Sequence, residues 1–317
     1  MHDIRLDEAV PAMIAAAVRA PSSHNSQPWR FRHDGNRVAL YADRTRALPV
    51  TDPDDRELTI SCGAALYNLE IAAAGQGYLP RVALVPDPHD RDLLAVVDLE
   101  PGGASPVIDH VTAGVRVRRT TRGRFGAGSV PEGLAPRLRR TAEQHQVGWH
   151  EVGAGARAAL AALVAEADRI QFADPAWRRE LAAWMPSRAR ADGLRTPPVI
   201  GGLTRAAVRG VGLGRPTARR DRRLTTRAPL VVVLTTGADT TGSWLATGRA
   251  LAHVLAAAAA EGVHAGFLNQ PCQVPRLRHR LSQLCETSDH PQLVLRLGPL
   301  PVASPSSARR PVSEVLD

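Results

Sequence analysis

Helix-patterned and strand-patterned segments succeed one another through the first hundred residues, stop at the break PGGASP (101–106), and then partly repeat; this repetition limits the fold more than any other property of the chain. The first third predicts a helix over 6–19 stopped by Pro21, then a hairpin of 29–33 and 37–41 around the turn Asp34-Gly35-Asn36. Thr51 and Asp52 are candidate caps for a helix with Pro53 in its first turn and Leu58, Cys62, Leu66 and Leu69 on one apolar face. Strands follow over 81–85 and 93–99. After the break come a helix (107–117), an arginine-rich turn, a helix (132–145), a strand (147–151) and helices over 156–172 and 175–184. The end supplies a buried strand, LVVVLTT (230–236), a helix (243–261), a strand (266–269), a helix (274–285) and a last strand (292–297). Strands and helices mix without strict βαβ alternation, which predicts an α+β fold.

Charge narrows the chemistry. All 40 cationic side chains of the 317 residues are arginine, so no amine is present for a Schiff base, a P-loop or a kinase site. Eleven arginines fall in 185–227 against only Asp192 and Asp221, which accounts for the whole net charge of +9. The remainder is balanced, and the basic insert has no aromatic residue among its arginines to stack bases, so nucleic acid is not the expected partner. The glycines and prolines of that insert predict an irregular loop or lid. With aromatic residues at 4%, alanine, leucine and valine must fill the core. Cys62, Cys272 and Cys285 form an odd set without a CxxC pair, and the acidic start MHDIRLDEAV has no secretory character, so a cytoplasmic protein is expected. The longest apolar run, Leu251 to Ala260, contains His253 and is too short for a membrane span.

Three segments concentrate polar chemistry. APSSHNSQPWRF (20–31) sets two serines, an asparagine and a glutamine on one rigid turn, suited to a polar heteroaromatic or ribityl-like ligand and equally to an ordinary helix-to-strand connection. RVRRTTRGRF (116–125) carries five arginines and two threonines, a donor set for a phosphate monoester or a solvated charged stretch, and Arg309-Arg310-Pro311 offers further cations. Other patterns carry less. Gly210, Gly212 and Gly214 imitate a dinucleotide loop without a preceding strand, and Cys272, His279, Cys285 and His290 match no compact zinc spacing. Asp52, Asp54, Asp55 and Glu57 suit a helix start, and Glu166 and Asp168 read as surface charges on an alanine-rich helix.

Taken together, APSSHNSQPW, RRTTR followed by Phe125, WLATGRAL through GVHAGFLNQP, and the terminal RRPVSEVL resemble the flavin-dependent nitroreductase superfamily, and more closely its Acg-like branch of long single chains. The resemblance implies a nitroreductase-like α+β fold in which two halves, 1–105 and 106–317, fuse into an intramolecular pseudo-dimer, monomeric, with a basic lid at 185–227. Each flavin-grip motif occurs once, which implies one flavin mononucleotide (FMN) per chain and one decayed symmetry-related site. Ser22, Ser23, Asn25 and Gln27 are then expected near the isoalloxazine and ribityl groups, and Arg118, Arg119 and Thr120 at the phosphate end. Arg122 is expected near the flavin N1 and O2 edge, the backbone of Leu268, Asn269 and Gln270 near N5, and Arg309 and Arg310 in the phosphate clamp. Thr120 stands where the family more often has serine, and an extra residue precedes Phe125. The implied activity is hydride transfer from NAD(P)H through the flavin to a small aromatic or quinone acceptor, with no protein acid or base and no metal. The alternative is an FMN-sequestering protein whose lid shuts out NAD(P)H.

Overall fold

A computed structural model describes residues 6–102, 106–185, 191–194, 206, 208, 214–300 and 307–317, with 106–109 and 215 described by backbone alone. The first third forms helix α1 (Leu6–Ala17), the hairpin β1 (Trp29–Asp34) and β2 (Arg37–Ala42), helix α2 (Arg56–Gly75), and strands β3 (Tyr78–Leu84) and β4 (Leu93–Pro101). Helix α3 (Pro106–Val117) follows the break. The rest comprises α4 (Leu134–Glu143), β5 (Gly148–Glu151), α5 (Ala154–Ala173), α6 (Pro175–Ala183), α7 (Gly214–Arg227), β6 (Leu230–Thr236), α8 (Thr241–Ala260), β7 (Val263–Phe267), α9 (Gln270–Gln273), α10 (Pro275–Leu284) and β8 (His290–Pro299).

The repeat read from the sequence becomes two antiparallel sheets of one topology, ordered β1-β2-β4-β3 and β5-β6-β8-β7. Their central helices α2 and α8, each of twenty residues, pack along each other. They cross where glycine faces backbone: a Cβ on Gly63 would collide with the Leu245 carbonyl, and a Cβ on Gly248 with the Ile60 carbonyl. The two contacts are reciprocal, since Gly63 follows Ile60 by the same three positions that separate Gly248 from Leu245, and so they mark a pseudo-twofold axis. Each helix also lends side chains to the other half's core, Leu245 and Ala256 to the first and Ile60 to the second.

The two sheets exchange ends: helix α3, whose Val111 and Val115 lie in the first core, leads across to the second sheet. The segment after α3 pairs with β7 through Thr120 and Ala265, while the C-terminal segment runs beside β1, with Phe31 N–H donating to the Val315 carbonyl (2.7 Å) and Asp317 N–H to the Phe31 carbonyl (2.8 Å). The first sheet keeps one wet face, seen in the alternating burial of β3. The second is covered on both: Val232 and Leu234 of β6 face the core beneath α8, and Val231 and Val233 face a separate core with Leu160 and Leu277. That second cover is made jointly by α10 and by the excursion between β5 and β6, where β1 and β2 have only a turn.

Part of this excursion corrects the loop expected at 185–227. Residues 214–227 are helical, because Pro216 lies in the first turn, where no backbone N–H is needed, and Ala218, Asp221, Leu224 and Thr225 form a buried face against α5. Most of 186–213, including Gly210 and Gly212, lies outside the described residues. Among the described residues no helix is long and apolar enough to cross a membrane.

Candidate functional site

The turn after α1 is strained. His24 (φ 54), Asn25 (φ 58) and Gln27 (φ 54) are left-handed, at roughly 1–2 kcal/mol each for a residue with a side chain. The Ser22 hydroxyl offsets this by accepting from Gln27 N–H (3.0 Å). Gln27 is fully buried behind the turn; its amide donates to the Ala191 carbonyl (2.7 Å) and accepts from Arg310 N–H (2.8 Å). The outcome is a rigid loop presenting Ser22, Ser23, His24 and Asn25 to a cavity of about 390 Å³.

Thr120, Arg122 and Arg309 continue that wall, with Leu268, Asn269 and Gln270 along the end of β7. Asn269 is fixed by accepting from Val294 N–H (3.0 Å), and the Leu268 N–H donates to the Val294 carbonyl (2.9 Å). The excursion between β5 and β6 supplies the other wall: Asp168, Gln171 and Phe172 of α5, Trp177 of α6, and Asp221 and Leu224 of α7.

A second cavity, of about 380 Å³, shares Thr120, Ser307 and Arg309 with the first and adds Arg19, Arg118 and Arg119. No carboxylate lines it among the described residues. Arg118 donates to the Arg19 carbonyl (3.0 Å) and the Thr120 hydroxyl (3.3 Å); Arg309 donates to the Asn25 side-chain oxygen (3.1 Å) and to the carbonyls of Arg19 and Ala20 (both 3.2 Å). These bonds hold the cations together against their repulsion. Burial, and then Arg309, Arg19 and Arg119, push the Arg118 guanidinium down to about 9, and burial with Arg19, Arg122 and Arg119 brings Arg309 to about 10. An anion entering this space meets several guanidinium groups and, among the described residues, no competing carboxylate.

Eleven of the thirteen residues expected at the site therefore line one cavity or the other. Gln27 and Arg310 line neither. Arg310 is buried against the tail, donating to the Glu314 carbonyl (2.7 Å) and lying 3.6 Å from Asp43, so it anchors the C-terminal segment rather than the basic cavity.

Several residues escaped the sequence. Asp168, expected as a surface charge, is 2% exposed; burial and then Asp221 push its carboxyl up to about 7. Asp221, also buried, is raised as well, and the Gln270 amide donates to both carboxyls at 3.2 and 3.0 Å. Glu166 is the surface group, paired with Arg276 and Arg280. Asp52 does cap α2, accepting from Glu57 N–H (3.0 Å) and Leu58 N–H (2.9 Å), but Glu57 turns to the cavity and accepts from the Ser23 hydroxyl (2.6 Å) and the Gln273 amide (3.0 Å to each oxygen). His24 is driven neutral, to about 4, by burial and then Arg122. The α5 spacing of 168, 171 and 172 places these three on one face, but an alanine-rich helix gives no sign of which face is covered.

No protein-family model matches the chain. It is 30% identical over 98% of its length to "Putative NAD(P)H nitroreductase Rv3131" of Mycobacterium tuberculosis (strain ATCC 25618 / H37Rv), covering 91% of that protein. To "Putative NAD(P)H nitroreductase acg" of the same strain it is 29% identical over 97% of its length and 95% of the relative's. Among solved structures, the FMN-dependent nitroreductase NfnB from Mycobacterium smegmatis in complex with NADPH aligns with 66% of this chain and 97% of its own at a TM-score of 0.39 and 15% identity. A nitroreductase-like chain from Anabaena variabilis aligns with 89% of this chain and 82% of its own at a TM-score of 0.48 and 11% identity. Near-complete coverage by the 30% identical relative, on a chain whose two sheets repeat one topology, makes this protein a member of the nitroreductase family, in its Acg-like branch.

Proposed function

We propose that the protein is a flavin-dependent oxidoreductase that binds one FMN between halves 1–105 and 106–317 of a single monomeric chain. The observation that carries this is the pair of joined cavities, one basic and free of carboxylates among the described residues, the other polar on the body side and able to take a planar ring. The donor set fits FMN: the guanidinium groups of Arg19, Arg118 and Arg309, each of lowered basicity, suit a phosphate dianion, and the buried Nε of Arg309 and hydroxyl of Thr121 lack partners among the described residues. Arg19, Arg118, Arg119 and Arg309 would hold the phosphate, each charge-assisted bond contributing on the order of 1.5–3 kcal/mol. Ser22, Ser23, Asn25 and Thr120 would take the ribityl and ring polar atoms, with Arg122 as a cation at the ring edge and the 268–270 backbone beside it. When bound, FMN supplies hydride transfer between NAD(P)H and a small acceptor, as the names of the relatives suggest. The chain's part is to bind, orient and exclude water, and no side chain is required as acid or base. The three free cysteines, Cys62, Cys272 and Cys285, suit a reducing, cytoplasmic setting.

The test is an aerobic spectrum of the purified chain with FMN, then with NADPH. Flavin fluorescence quenched on binding, followed by bleaching at 450 nm (roughly where oxidised flavin absorbs), is expected. A chain that leaves FMN fluorescence unchanged refutes the assignment.

A second reading, FMN sequestration, is supported by the ties between insert and body. Gly193 N–H donates to the Asn25 carbonyl (3.3 Å), Arg46 pairs with Asp192, and Arg220 donates to the Arg122 carbonyl. Such ties favour a closed insert, which would slow NAD(P)H entry. Stopped-flow mixing separates the two: bound FMN bleached within seconds by NADPH rules out sequestration.

A further inference from the structure

Arg296 stands between Leu295 and Leu297 in a run of buried residues on β8, and is itself 2% exposed. Room for it is built into the sheet. Its partner across the ladder on β7 is Gly266, where a Cβ would collide with the guanidinium and with the Thr121 carbonyl. A Cβ on Gly298 would collide with Phe125, the ring over which the guanidinium lies at 4.8 Å. One arm of the fork donates to the Thr121 carbonyl (2.7 Å). The Nε is buried with no partner among the described residues, and the residue lines the larger cavity.

The other buried charges of that cavity are answered. Glu57 accepts from Ser23, from Gln273 and from Arg56 (3.3 Å). Asp221 lies 3.7 Å from Arg220 and shares the Gln270 amide with Asp168, which keeps its proton to about 7. Arg296 makes no ion pair among the described residues, and Asp221 reaches it only as a field opposed by Arg220. Burial brings Arg296 to about 10, which leaves it cationic at neutral pH. A buried cation met by one carbonyl and a ring face calls for an electron-rich ligand. Arg122, which the family resemblance sets at the flavin ring edge, lines the same cavity but is an exposed residue. Water and salt screen such a charge, and they reach Arg296 far less.

We infer that Arg296, rather than Arg122, is the cation that sets the charge preference of the larger cavity: it favours a ring carrying negative charge, and so the reduced over the oxidised form of bound flavin. This rests on the reading in which FMN occupies the joined cavities. Accepting a hydride from NAD(P)H, two electrons and one proton with NAD(P)+ leaving, gives the flavin ring one negative charge. A unit charge felt across roughly 6–10 Å at an effective dielectric of about 20 favours that form by about tenfold to a hundredfold. The Thr121 carbonyl, the Phe125 ring and the space left by Gly266 hold the guanidinium in place beforehand, so little reorganisation opposes the effect.

The experiment loads the full chain and its variants with FMN, follows binding of the oxidised form by fluorescence quenching, and measures the midpoint potential of the bound flavin against a reference dye. Arg296→Met is expected to move the midpoint about 30–60 mV negative, the same tenfold to hundredfold change read on a two-electron couple. Arg296→Lys keeps the charge and is expected to hold the midpoint within about 15 mV, or threefold. Arg122→Met is expected to move it less than half as far as Arg296→Met. Arg296→Gln keeps a donor for the Thr121 carbonyl, and replaces Arg296→Met if that variant does not fold by circular dichroism. A midpoint unmoved by loss of the Arg296 charge, even with weaker FMN binding or earlier melting, makes Arg296 a structural residue and overturns the inference. So does a shift in Arg122→Met as large as that in Arg296→Met, or an equal shift in Arg296→Lys. If the wild-type chain leaves FMN fluorescence unchanged, the flavin reading falls and this inference with it; quenching with an unmoved midpoint overturns the inference alone.

Discussion

Replacing Arg118 by methionine should separate recognition of the phosphate from recognition of the flavin ring. Arg118 belongs to the cluster with Arg19, Arg119 and Arg309 in a cavity lined by no carboxylate among the described residues, while the larger cavity reaches it only through Thr120, Ser307 and Arg309. Riboflavin lacks the phosphate and uses only the second set. If two of the four guanidinium groups bond the phosphate at 1.5–3 kcal/mol each, FMN is preferred over riboflavin by about 3–6 kcal/mol, or roughly a hundredfold to ten-thousandfold. Arg118→Met removes one such bond, so FMN affinity should fall roughly ten- to a hundredfold, with riboflavin held within about threefold. The loss is bounded above because removing Arg118 also removes the repulsion that it suffers from Arg309, Arg19 and Arg119. Arg310→Met is the internal control. Its guanidinium serves Glu314, Gln27 and Asp43, so it should lower thermal stability and leave the FMN-to-riboflavin ratio where it was. Fluorescence quenching titrations of both ligands against the three proteins give all the ratios needed. Equal loss of FMN and riboflavin in Arg118→Met, or loss of discrimination in Arg310→Met, would refute the division into two compartments.

Three further outcomes follow from the packing. Burial, and then Asp221, keep the Asp168 carboxyl protonated to about 7 when folded, against 3.8 in a free chain, with Arg220 opposing; its stabilising contribution is present at low pH and lost as pH rises from about 4 through 7. Asp168→Asn should remove that decline, so urea unfolding at pH 5 and pH 8 (values spanning roughly that window) should differ less in the variant, and an unchanged difference would place the titration elsewhere. Gly63→Ala and Gly248→Ala should each lower the unfolding free energy by about 1–3 kcal/mol, and the double variant should be non-additive because both press on one crossing; additive losses would argue against a shared contact. Deleting 312–317 removes Val315, 1% exposed, and the bonds to Phe31, and should lower the melting temperature and weaken FMN binding together, since Arg309 is placed by that tail; melting without a change in FMN affinity would free Arg309 from it.

The elements and their order were legible because each had local punctuation: Asp34-Gly35-Asn36 for the first hairpin, Asp52 for α2, and the LVVVLTT run for the doubly covered β6. The motif residues of the body side were legible too, since their types and spacing resembled a family. What was hidden depended on burial that no local pattern records. Asp168 stands in an alanine-rich helix whose polar residues look solvated until α7 covers them. Pro216 and its neighbours read as a loop because a proline in the first turn of a helix looks the same in sequence as a breaker. Gln27 and Arg310 carry the family pattern, yet each is spent on holding a segment in place, the one under the strained turn and the other along the tail.

The reciprocal ends have a consequence for ligand occupancy. In a homodimer, a ligand grip made of parts from two subunits comes apart on dilution, and its occupancy follows protein concentration. Here Thr120 on β7 and Leu316 beside β1 are crossed within one chain, so the effective concentration of one half for the other is fixed by the linker and does not fall at nanomolar protein. Each half is also free to change alone, because a substitution no longer appears twice. The difference between the two halves is plain in their loops, 78 residues between β5 and β6 against a two-residue turn between β1 and β2.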